Sequence, residues 1–172
     1  MKTFVKLLVI ALTALAGLSV EATETDGAQF PGNGTALRSP SAKYEVYCVD
    51  AESSADAKRL GDNHALFLKS VGTGADTKVI TFGRHVAVTW APTSEVFFVN
   101  DHYGSGQVRC RVFACGSGEP RELFHRFSAV DCEAVAWVNS SALKVVVRDS
   151  AGEREELSPI EPSNARPEPP KK

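Results

Sequence analysis

The densest group of chemistry-bearing side chains is Asn100-Asp101-His102-Tyr103-Gly104-Ser105-Gly106. It sets a carboxylate, an imidazole and a phenol side by side, in a glycine-rich stretch after an apolar run. A carboxylate that orients an imidazole makes a general base, and a phenol supplies a hydrogen bond or a stacking face. The pattern points to two uses: a binding loop carrying Asp101, His102 and Tyr103, or a hydrolase dyad of Asp101 and His102. Adjacent residues of an extended chain point to opposite sides, which counts against the dyad. A turn accounts for most of the same residue types, with Asp101 accepting from nearby amides and Gly104 supplying a positive φ. No residue is therefore assigned a catalytic role.

The second set is Cys48, Cys110, Cys115 and Cys132. Four cysteines in an exported chain suggest two disulfides. Cys110 and Cys115 read as parts of one strand, which puts their Cα atoms about 16 Å apart at about 3.3 Å per residue, beyond the ~7 Å reach of a bridge. Two connectivities remain: Cys48–Cys110 with Cys115–Cys132, or Cys48–Cys115 with Cys110–Cys132. The first is preferred. Cys110 shares a face with Val108, Val112 and Ala114 and points inward, and Cys115 ends its strand across from Cys132. A zinc site would need a second ligand pair that the Cys110–Cys115 spacing lacks, so no metal and no cofactor is expected. His64 follows Asp62-Asn63 in a loop-like stretch, and His85 opens a strand. No nucleophile elbow, zinc-protease helix, phosphate loop or dinucleotide fingerprint is present.

The elements that must position these residues lie between two low-complexity ends. Lys2 and Lys6, an apolar run over 7–18 and Val20-Glu21-Ala22 make the three parts of a secretory signal peptide over residues 1–22. A secreted or periplasmic location follows, with no membrane span after cleavage. Loss of Lys2, Lys6 and Glu21 takes the net charge from −2 to −3. That lacks the basic excess of a nucleic-acid binder. Residues 23–43 read as a flexible N-terminal segment. Residues 158–172 hold five prolines and read as a disordered tail. One β domain, 44–157, is left between them.

Within it, alternating and β-branched runs predict strands at 44–50, 65–71, 78–82, 85–90, 95–100, 107–114, 121–127, 134–138 and 143–149. Ser53 and Gly61 frame a short helix over 53–60. The expected class is all-β: an antiparallel meander or sandwich, or partial propeller-like sheets, stapled by disulfides. The stretch 88–101 lines up with 135–148, with Trp90 and Trp137 in register, 47 positions apart. Each reads strand, tryptophan, polar turn, apolar strand. This unit resembles the repeats of TolB-like and WD40-like β-propellers. The resemblance implies stacked four-stranded blades, of which this length holds too few to close a propeller. The expectation for function is an exported binding or interaction module without catalysis, whose partner is another protein or an envelope component. The alternatives are a hydrolase using Asp101 and His102, or a secreted inhibitor of a hydrolytic enzyme.

Overall fold

Short runs of alternating apolar residues, broken by glycine and polar turns, pair with their nearest neighbours in the chain. The computed structural model describes residues 27–31, 35–92, 95–116, 120–125 and 131–160, and they are nearly all β. The strands are β1 (Gly27–Phe30), β2 (Ala36–Arg38), β3 (Tyr44–Asp50), β4 (His64–Ser70), β5 (Asp76–Phe82), β6 (His85–Trp90), β7 (Val96–Gly104), β8 (Gln107–Cys115), β9 (Pro120–His125), β10 (Asp131–Asn139), β11 (Ala142–Asp149) and β12 (Gly152–Pro159). A helix, α1 (Ser54–Leu60), joins β3 to β4. Its ends obey local chemistry. The Ser53 hydroxyl accepts from the Asp56 amide, and Gly61 at φ 100° closes the last turn with its N–H on the Ala57 carbonyl.

Three antiparallel sheets result, with strand orders β2-β3-β4-β5, β1-β6-β7-β8-β9 and β10-β11-β12. The five-stranded sheet is shared by two cores. On one side Phe30, Val86, Val88, Trp90, Phe97, Val99 and Phe113 pack with Val46, Leu66, Leu68, Ile80 and Phe82 of the four-stranded sheet. On the other, Phe98, Cys110 and Val112 pack with Cys132, Ala134, Trp137, Leu143, Val145 and Val147 of the three-stranded sheet. Burial of β7 is accordingly continuous from Phe97 to Asp101, where a one-sided strand would alternate. Each large side chain so enclosed contributes about 1.5–3 kcal/mol.

The paired tryptophans do equivalent work. Trp90 donates its indole N–H to the Leu37 carbonyl at 3.2 Å, and Trp137 donates to the Thr89 carbonyl at 3.3 Å. Each thereby ties its own sheet to the one before it. The hairpins differ in length, since Trp90 faces Phe97 whereas Trp137 faces Leu143. In the second, Asn139 Oδ1 accepts from the amide and hydroxyl of Ser141 and shapes a two-residue turn.

Three features depart from expectation. Strands β1 and β2 form inside the 23–43 segment, because β1 adds to the edge of β6 and β2 to the edge of β3. β12 carries the sheet past residue 157, held to β11 along its whole length. The disulfides are a correction: no two of Cys48, Cys110, Cys115 and Cys132 stand at bonding distance. The five-stranded sheet explains why the preferred connectivity fails. Cys48 and Cys115 belong to the core on one side of it, Cys110 and Cys132 to the core on the other. The signal peptide at 1–22 and the tail beyond 160 lie outside the described residues. No described helix is long and apolar enough to cross a membrane.

Candidate functional site

Asp101, His102 and Tyr103 sit in β7 itself, which runs on to Gly104 before the tight turn at Ser105-Gly106. Strand geometry therefore separates them. Asp101 is buried and receives the Arg109 guanidinium from the opposite position on β8 at 2.6 Å. Tyr103 is half-exposed, and the same guanidinium lies 4.2 Å from its ring centroid. His102 stacks on His85 across the β6–β7 pair, with ring centroids 4.2 Å apart. Burial holds the His102 imidazole below its ordinary pKa. His85 and Arg84 push the same way, against Glu133 and Asp101. The acid and imidazole adjacent in sequence thus serve separate neighbours.

Asn100, one position earlier, acts as a clamp. Its buried amide donates to the Ala134 carbonyl and accepts from the Ala134 N–H, both at 2.8 Å. It imitates a peptide group and joins β7 to β10.

A second cluster, not singled out in the sequence, brings together Cys48, Asp50 and His64. Cys48 and Asp50 are two apart on β3 and so share a face. Antiparallel register sets His64, the first residue of β4, opposite Asp50. Asp50 Oδ1 stands 2.7 Å from His64 Nδ1 and 3.2 Å from Cys48 Sγ, from which it accepts the thiol proton. The His64 ring stacks on Phe82 of β5, with centroids 5.1 Å apart. Burial, and then the hydrogen bond and charge of Asp50, push the Cys48 thiol up to about 12. The thiol is therefore protonated at neutral pH, and its hydrogen bond goes to Asp50. That is not a nucleophile activated by a base.

The Cys48-x-Asp50 alternation was readable as a shared face. Its third member was not, because a capped helix intervenes and only the pairing of β3 with β4 fixes which residue lands opposite Asp50. No family model, curated protein or solved structure matches the chain.

Proposed function

We propose that the chain is an exported, non-catalytic binding module that engages another protein or an envelope component along an open sheet edge. The observation that carries this reading is the separation of Asp101 from His102, which leaves the best sequence candidate for a catalytic dyad without its hydrogen bond. Further support comes from β12. It pairs with β11 without a break in register and has no second partner strand among the described residues. Leu157 on this strand is 68% exposed. An edge of this kind can take an added strand, the mode by which many modules bind extended peptides.

The test is capture from an envelope extract, comparing the wild-type chain with Leu157→Lys and His102→Ala. One defined partner should be retained by His102→Ala, and purified partner should bind Leu157→Lys at least about tenfold more weakly, a difference of ~1.4 kcal/mol. Hydrolytic turnover abolished by His102→Ala would overturn the reading, as would a partner indifferent to Leu157→Lys.

A further inference from the structure

We propose that Cys48, Asp50 and His64 form a binding site for a zinc-type divalent cation, with three protein ligands and a fourth position open to solvent. The site lies on the four-stranded sheet and does not depend on the edge-binding reading. One donor atom from each residue lies within 4.8 Å of the other two. In a tetrahedral zinc site, bonds of about 2.0–2.3 Å set neighbouring ligand atoms about 3.3–3.8 Å apart. The contacts of Asp50 Oδ1 with His64 Nδ1 and Cys48 Sγ, at 2.7 and 3.2 Å, are somewhat shorter. Admitting an ion therefore asks Asp50 Oδ1 to draw back from its two neighbours by roughly 1 Å or less.

The donor set selects the ion. One thiolate, one imidazole and one carboxylate suit zinc. Calcium and magnesium take oxygen ligands, and copper(I) prefers softer sets without carboxylate. Position is supplied by the strands: alternation on β3 aligns two donors, register with β4 adds the third, and Phe82 fixes the imidazole plane. Access is supplied by partial exposure. The Asp50 side chain is 37% exposed and that of His64 19%. Cys48 is partly rather than fully buried.

Binding balances simply. The Cys48 S–H bond breaks, its proton goes to solvent, and a sulfur–metal bond forms. The imidazole binds neutral: the proton that Nδ1 shared with Asp50 leaves to solvent, Nδ1 takes the ion, and Nε2 carries the ring's one proton. Asp50 exchanges its two hydrogen bonds for one metal bond. No electron is transferred.

The test uses the full chain, reduced and metal-free, with cobalt(II) and zinc(II) salts as the only probes. One equivalent of cobalt(II) should produce a thiolate-to-cobalt charge-transfer band and the intense visible bands of a tetrahedral site, and zinc(II) should erase both. Cys48→Ser should lose the charge-transfer band. His64→Gln and Asp50→Asn should weaken zinc(II) binding by about 100-fold or more, since loss of outer partners alone costs about 10–100-fold. Thermal unfolding of the same samples gives a second reading. Zinc(II) should raise the midpoint of the wild-type chain and leave that of His64→Gln unmoved, the glutamine keeping an amide at a half-buried position. Absence of the band at one equivalent would overturn the proposal. So would a band that survives Cys48→Ser, or zinc affinity unchanged in His64→Gln and Asp50→Asn.

Discussion

Two regions of this protein hold an aspartate and a histidine, and they use them in opposite ways. At Asp101-His102 the two are neighbours in sequence, and the strand turns them to opposite faces, one to an arginine and the other to a second histidine. At Asp50 and His64 they are 14 positions apart, and register lays them against each other at 2.7 Å. In a sheet, proximity along the chain separates side chains, while cross-strand pairing joins them. A search for acid–base pairs in a β protein therefore gains more from strand register than from sequence adjacency.

The same substitution in both regions should break the comparison most visibly. Asp101→Asn leaves the Arg109 guanidinium without its carboxylate. Losing a hydrogen bond between charged groups costs about 1.5–3 kcal/mol, and the high end applies here because the Asp101 side chain is 3% exposed. Asp50→Asn in the metal-free chain should cost less than about 1 kcal/mol, since both partners reach water. Urea midpoints at constant slope measure both. Equal costs would mean that Asp101 is no more built into the fold than Asp50.

Asn100→Ala is the next largest effect. It strands the N–H and carbonyl of Ala134 between two sheets, at a cost of about 2–3 kcal/mol. Hydrogen exchange should show β10 to β12 loosening before β3 to β5. Uniform loosening would mean that the clamp is not what joins the three-stranded sheet to β7.

The smallest effect sharpens the histidine half of the comparison. His102 titrates below its ordinary value near 6.5 in the fold. Between the folded and unfolded pKa values the unfolded chain binds more protons. The His102 contribution to stability is thus complete above about pH 6.5 and is lost as pH falls through the folded value. The melting midpoint should drop on acidification, and His102→Gln should shrink that drop. An identical drop in the variant would assign it to other groups.

Much of the fold was legible. The predicted bounds of strands 44–50 and 85–90 match the structure to the residue, and Ser53 and Gly61 frame the helix, because alternation and capping are local effects. β12 was missed since Gly-Glu-Arg-Glu-Glu carries no apolar alternation. It is held by backbone pairing to β11 and by cross-strand ion pairs such as Lys144–Glu155 and Arg148–Glu153. β7 runs past its predicted end at Asn100: the polar residues beyond look like a loop, yet burial of Asp101 with Arg109 keeps them extended.

By itself the sequence determined that the chain makes short antiparallel strands, where α1 starts and stops, and that a tryptophan hairpin occurs twice. These follow from the steric and hydrogen-bonding habits of a few consecutive residues. Only the tertiary structure decided which aspartate meets a histidine, and on which side of the five-stranded sheet each cysteine lies. Those outcomes depend on register between strands separated by a helix, and on a second sheet covering the far face. Both are long-range burial effects that no local window contains.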